Sequence, residues 1–302
     1  MMDITNLPEF PFTPHFAEIN GHRLAYLDEG PAEAPVLVLA HGNPTWSYLF
    51  RNLVPALRDR FRCIVPDHLG CGLSDKPQDA PPNTPYRLAT HIDNLEALLE
   101  RLGIGDCGLI LHDWGGAIGM GWAVRHPDKV RAITACNTAA FRSENMPRRI
   151  ALARVPLFGD LAVRGGNAFA WAATRMAVQK KMRPEIAAAF TAPYDSWANR
   201  IATLRFVQDV PMNPAHPSWD TLSAIDAGLA QFAETPLLLC WGGADFCFGR
   251  DFYEEWQRRF PQAEAHWFPE AGHYLFEDAG EAIFPLIGDF LDRRLLNRAE
   301  QP

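Results

Sequence analysis

Four short segments of this 302-residue chain carry side chains suited to chemistry. The most specific is Leu111-His112-Asp113-Trp114-Gly115-Gly116. Before it stands a short apolar run, Cys107 to Leu111. After it comes a small, apolar stretch, Ala117 to Val124, which ends at Arg125-His126-Pro127. A strand, a sharp turn and a helix in that order form a nucleophile elbow, here with Asp113 where Ser commonly stands. A carboxylate is ionised at neutral pH and needs no base before it attacks. It suits an alkyl carbon bearing a leaving group, or a strained ring. An acid at a strand end is also a common helix cap, so Asp113 alone leaves both readings open.

Three further segments change that balance. His41-Gly42-Asn43-Pro44 follows an apolar run and can aim a backbone N–H and the Asn43 amide at the elbow, although Asn-Pro is also an ordinary turn. Trp241-Gly242-Gly243-Ala244-Asp245 places an acid after a late strand, where Asp245 can orient a histidine or simply cap the next helix. Ala271-Gly272-His273-Tyr274 places a candidate base after the last strand, in what could equally be a surface turn. Taken together the order is oxyanion turn, nucleophile, helical block, acid and histidine, each at the C-terminal end of a strand. That order predicts one catalytic constellation of Asp113, His273 and Asp245, with Asn43 and Trp114 beside it.

The elements that must position these residues alternate between strand and helix, the pattern of a mostly parallel α/β sheet covered on both faces. Two short strands, 15–20 and 22–28, turn at Asn20-Gly21. Continuous apolar strands are expected over 35–40, 62–66, 107–111, 130–136 and 236–241, and a last strand over 265–268. Residues 88–102 have helical periodicity with Ile92, Leu95, Leu98, Leu99 and Leu102 on one face. Further helices are expected over 251–260 and about 281–294. Residues 139–221 break the rhythm: no β run, but Arg, Pro and aromatic residues in a helical pattern. The segment reads as a cap inserted over the C-terminal edge of a core formed by 1–138 and 222–302. Several of its apolar residues (Leu157, Phe158, Leu161, Val163, Phe169, Trp171, Met176, Phe190, Trp197) are expected to line a substrate cavity.

Composition narrows the class of function. The chain is 48% hydrophobic, enough for one domain with an insertion or for two small ones. Its net charge of −8 disfavours a nucleic-acid surface. The first residues show no basic flank or long apolar run of a signal peptide, and no window is apolar enough to span a bilayer. The six cysteines (Cys63, Cys71, Cys107, Cys136, Cys240, Cys247) are scattered without metal-ligand spacing. Reduced thiols in a cytoplasmic protein, with neither metal nor cofactor, are therefore expected.

Over nearly its whole length the sequence resembles an α/β-hydrolase of the haloalkane dehalogenase family. The resemblance rests on His41-Gly42-Asn43-Pro44-Thr45-Trp46-Ser47-Tyr48, Pro66-Asp67-His68-Leu69-Gly70-Cys71-Gly72-Leu73-Ser74, His112-Asp113-Trp114-Gly115-Gly116 and Gly272-His273. It implies an eight-stranded, mostly parallel sheet with helices on both faces and an inserted helical cap. It also implies that Asp113 forms an alkyl ester, that His273 activates water, that Asp245 holds His273, and that Asn43 and Trp114 donate N–H groups to the leaving halide. Some relatives carry the acid after an earlier strand. Here that stretch, Ala135-Cys136-Asn137-Thr138, has no carboxylate, which favours Asp245. Leu111 departs from the small residue found at this elbow position in many hydrolases.

Two stretches look more like the β-lactone decarboxylases of long-chain olefin biosynthesis. They are Leu7-Pro8-Glu9-Phe10-Pro11-Phe12 and the run from Arg164-Gly165-Gly166-Asn167 through Met176-Ala177. That resemblance implies conversion of cis-3,4-dialkyl oxetan-2-ones with long alkyl chains to cis-alkenes and carbon dioxide, and an assembly with other enzymes of the pathway. Haloalkane dehalogenase is the alternative. Epoxide hydrolase fits less well, since such enzymes use cap tyrosines and the segment offers only Tyr194. A ligand receptor without turnover is disfavoured because every catalytic position holds a competent residue.

Overall fold

The computed structural model describes residues 7–79 and 84–296. Eight strands form one sheet: β1 (His15–Ile19), β2 (His22–Glu29), β3 (Val36–Ala40), β4 (Arg62–Pro66), β5 (Cys107–Asp113), β6 (Val130–Thr138), β7 (Leu237–Gly242) and β8 (Glu264–Phe268). Their spatial order is β1-β2-β4-β3-β5-β6-β7-β8. β2 pairs antiparallel with β1 and β4, and β3 through β8 run parallel. The order reverses around β3, so a crevice opens beyond the C-terminal ends of β3 and β5. Open α/β sheets bind ligands at such switch points.

The central strands are continuously apolar because each feeds two cores. Side chains alternate across a strand. Val38 and Ala40 of β3, with Leu109 and Leu111 of β5, enter the core shared with α2 (Leu88–Arg101) and α3 (Trp114–Arg125). Leu37, Leu39 and Ile110 enter the opposite core, which α1 (Leu53–Leu57) and the C-terminal helix also fill. The segment after residue 7 belongs to that second core: Phe10 packs on Trp46 and Tyr48, and Tyr48 donates its hydroxyl proton to the Pro8 carbonyl. The segment thus braces the loop that follows β3.

Between β6 and β7 the described chain is helical: α4 (Arg148–Ala153), a π-type turn (Asp160–Gly165), α5 (Ala168–Met176), α6 (Pro184–Thr191), α7 (Ile201–Gln208) and α8 (Trp219–Gly228). α9 (Arg250–Arg259) then separates β7 from β8. The last helix, α10, spans Leu275–Leu291 and starts six residues before the expected 281. A non-helical residue, Ala279, and Pro285 interrupt its pattern, so its first turn is hidden from a periodicity argument. α1 was not anticipated either; five residues carry too little periodicity to stand out.

Candidate active site

Asp113 closes β5 with a φ of 52°, the left-handed region that a side chain with a Cβ seldom occupies. The strain turns its carboxylate away from the sheet toward the crevice, where it is 8% exposed. The turn after β3 meets it there. The Asn43 backbone N–H donates to Asp113 Oδ1 at 2.7 Å, and the Trp114 backbone N–H also points at the carboxylate. This approach requires Gly42, where an added Cβ would lie 1.9 Å from Asp113 Oδ1. The Thr138 hydroxyl, at the end of β6, donates to the Asp113 carbonyl and fixes the elbow from the other side.

Leu111 fits the elbow because Gly119 faces it. A Cβ at Gly119 would stand 2.3 Å from Leu111 Cδ2. The bulk that many hydrolases avoid on the strand is accommodated by a missing side chain on α3.

His273 and Asp245 join Asp113 from the loops after β8 and β7. The imidazole Nδ1 lies 2.8 Å from Asp245 Oδ2, and Nε2 lies 3.5 Å from Asp113 Oδ2. Asp245 is held in turn: its Oδ2 accepts from the Asn137 amide at 2.8 Å and its Oδ1 from the Cys247 N–H at 2.6 Å. Asn137, at the strand end that lacks a carboxylate, also accepts the Gly242 N–H. The His273 loop is tied to its surroundings through its backbone. The His273 carbonyl accepts from His112 Nε2 at 2.8 Å, the Tyr274 N–H donates to the Ala177 carbonyl, and Asp278 accepts the N–H groups of Gly272, Gln179 and Lys180.

Burial sets the protonation of this cluster. It pushes the Asp113 carboxyl above the ordinary value, against the pull of His273 and the two N–H donors. Burial would also lower His273, but the charge and hydrogen bond of Asp245, helped by Asp113, hold it above the ordinary imidazole value. Burial would raise Asp245 too, yet His273, the Cys247 N–H and Asn137 hold it below the usual carboxylate range. His112, buried beside them, falls to about 3 and stays neutral. The result is an imidazole whose protonated form is favoured by the two carboxylates on either side of it.

A cavity of about 520 Å³ ends on this cluster. Asn43, Asp113, Trp114 and His273 line its floor, while Phe158, Val163, Phe169 and Met176 are among the apolar residues of the helical segment on its wall. Of the other residues expected there, Phe190 instead packs against Tyr48 and Tyr274, and Leu157, Leu161, Trp171 and Trp197 are exposed. α7 holds both candidate donors in place: one amide N–H of Asn43 goes to the Thr203 carbonyl at 3.1 Å, and the Trp114 ring meets Phe206 edge-on at 5.2 Å. The second amide N–H remains for a ligand. Tyr194 lies elsewhere, fully buried, with its hydroxyl on the Thr45 carbonyl at 3.2 Å.

The structure brings together all five residues expected from the sequence, Asp113, His273, Asp245, Asn43 and Trp114. Sequence reasoning missed the supports. Asn137, Thr138, His112, Thr203 and Asp278 act through contacts 25 to 161 residues apart, or across loops. Only the absence of a carboxylate at 135–138 hinted that another polar group there must serve Asp245.

Comparison with known proteins gives three findings. Residues 35–280 match the family described as alpha/beta hydrolase fold. Two relatives are named cis-3-alkyl-4-alkyloxetan-2-one decarboxylase. One, from Xanthomonas campestris pv. campestris, is 44% identical over 297 residues, covering 96% of this chain and 99% of the relative. The other, from Shewanella oneidensis, is 46% identical over 261 residues, covering 85% and 81%. The crystal structure of a haloalkane dehalogenase from Bradyrhizobium elkani superposes with a TM-score of 0.82 at 28% identity, over 93% of this chain and 98% of that one.

Proposed function

This chain belongs to the α/β-hydrolase family, and from that membership we propose that it is a lyase that converts cis-3,4-dialkyl β-lactones to cis-alkenes and carbon dioxide. The observation that carries the reading is a carboxylate, Asp113, at the elbow on the floor of an apolar cavity, in a chain 44% identical over 96% of its length to a relative named for that reaction. Residues 139–221 serve as the cap over that cavity.

The residues supply each step. Asp113 Oδ2, the oxygen not held by the Asn43 N–H, attacks the alkyl-substituted ring carbon bonded to the ring oxygen, not the lactone carbonyl carbon. That C–O bond breaks and frees a carboxylate, so the negative charge moves from Asp113 to the substrate. The His273 imidazolium and the N–H donors of Asn43 and Trp114 stabilise it there. The bond to the carboxylate carbon then breaks, carbon dioxide leaves, and its electron pair forms the alkene as the Asp113 carboxylate departs. Inversion at the attacked carbon followed by anti loss gives a cis-alkene from a cis-lactone. Asp245 keeps His273 charged and oriented.

Long alkyl chains on the substrate suit the apolar wall of the cavity. A place in long-chain olefin biosynthesis, hand-off from preceding pathway enzymes and a cytoplasmic setting complete the proposal; free thiols at all six cysteines support the last.

The alternative with specific support is haloalkane dehalogenation, because Asn43 and Trp114 would hold a halide as well as a carboxylate. Incubation with a cis-dialkyl β-lactone and, separately, a 1-haloalkane decides between them by product analysis. Cis-alkene from the first with little halide from the second is expected, and the reverse would return the chain to the dehalogenases. Epoxide opening gains nothing from the cap tyrosine, since Tyr194 donates to the Thr45 carbonyl and does not line the cavity.

A further inference from the structure

Apolar side chains that escape burial are gathered on one part of this molecule. Of nine large hydrophobic residues exposed among the described residues, eight lie between Leu152 and Trp197 and the ninth is Phe16. Five fall within the ten residues from Leu152 to Leu161. Leu157 is 78% and Leu161 68% exposed. Leu152, Phe158 and Met176 are exposed and also line the cavity, so the patch forms its rim. Leu157 adopts a φ of 64°, a left-handed conformation unfavourable for leucine. The backbone is thus strained where it presents its most exposed apolar side chain, a mark of function more than of folding.

Charge completes the pattern. Residues 139–221 hold eleven Arg and Lys against six Asp and Glu, a net of +5 in a chain of −8, which leaves −13 on the rest. Arg148 and Arg149 are exposed at the start of α4, just before Leu152, and among the described residues neither meets a carboxylate. Arg175 stacks on exposed Trp171 at 3.8 Å, and both join Lys180 and Lys181 around a second depression of about 500 Å³.

We propose that this face docks on an anionic phospholipid bilayer. Leu157 and Leu161 enter the acyl boundary and the Arg and Lys side chains meet the headgroups, the combination that holds a protein in a membrane interface. The net −13 on the remainder makes the rest of the chain the less favoured side for the same surface. The role this gives the surface, direct uptake of a long-chain lactone through the apolar rim, rests on the proposed function; the docking itself does not.

The test is sedimentation of the full-length protein with sucrose-loaded phosphatidylcholine vesicles, with and without phosphatidylglycerol. Binding to the anionic vesicles that weakens with salt, and at least about tenfold weaker binding of Leu157→Asp/Leu161→Asp and of Arg148→Glu, is expected. Asp tolerates the left-handed conformation, and an unchanged melting temperature and circular dichroism spectrum verify that the variants are folded. Equal weak binding to both vesicles, or variants that bind like the parent, would overturn the proposal. So would a parent that self-associates in solution and a monomeric variant, since the patch would then join copies of this chain. Vesicle binding is read without substrate, so a failed lactone assay and a failed docking assay are distinguishable.

Discussion

His273 is anchored on Asp245, with Nδ1 at 2.8 Å from its carboxylate, and only faces Asp113, with Nε2 at 3.5 Å from Oδ2. The imidazole is therefore held between two carboxylates, which favour its protonated form. In a hydrolytic cycle it would have to be neutral and take a proton from water. In the decarboxylation proposed here its charge serves first Asp113 and then the carboxylate released from the ring.

That difference predicts opposite pH dependences. Asp113 must be ionised, and its raised pKa puts the acid limb of kcat/KM above the pH of an ordinary aspartate. Activity is lost as pH falls through it. On the alkaline side the protonated His273 is the useful form. Lactone turnover should therefore fall as pH rises through its raised pKa. A rate that climbs with pH through that range would identify His273 as a water base instead.

Asp113→Asn keeps the shape and still offers an acceptor to the Asn43 N–H, but removes the charge. We expect turnover to vanish while the melting temperature stays within a few degrees. Intact mass must exclude deamidation back to Asp. Full activity in the verified variant would end this account.

The donors have separate, measurable shares. Removing the Asn43 amide with Asn43→Ala, or the indole N–H with Trp114→Phe, should each cost about 10²–10³ in kcat, the usual worth of one oxyanion donor. Losses well under tenfold at both positions, measured on the lactone, would mean that the two side chains serve structure alone.

The packing of Leu111 against Gly119 gives a prediction about stability. Gly119→Ala puts a Cβ into Leu111 and should destabilise by about 1–3 kcal/mol, as overpacking does. Leu111→Ala in the same chain should recover much of it. Denaturant unfolding of the four proteins in this cycle reads the coupling, and strict additivity would contradict the contact.

Much of the arrangement was legible in the sequence because it lies in uninterrupted local patterns. The runs at 35–40, 107–111 and 236–241 are apolar on both faces, and each is followed within four residues by a candidate site residue. Asn43, Asp113 and Asp245 could be read for that reason. Asn137 could not, because its value depends on the register that sets β6 beside β7. The same holds for Gly119, which makes sense only against Leu111. Which residues of 139–221 line the cavity was legible only in part: Leu157 and Phe158 are neighbours of similar hydrophobicity, both are exposed, and only Phe158 also reaches the cavity. Helical periodicity was too short there to assign a face.

In the proposed reaction Asp113 opens the lactone at its alkyl carbon and is released without hydrolysis. This is tested most directly by turnover of a cis-dialkyl β-lactone in ¹⁸O-water, followed by mass analysis of the peptide that contains Asp113. Cis-alkene and carbon dioxide with no label in Asp113 after many cycles are expected. Label accumulating in Asp113 with each turnover would show that water cleaves the ester, and would contradict that route.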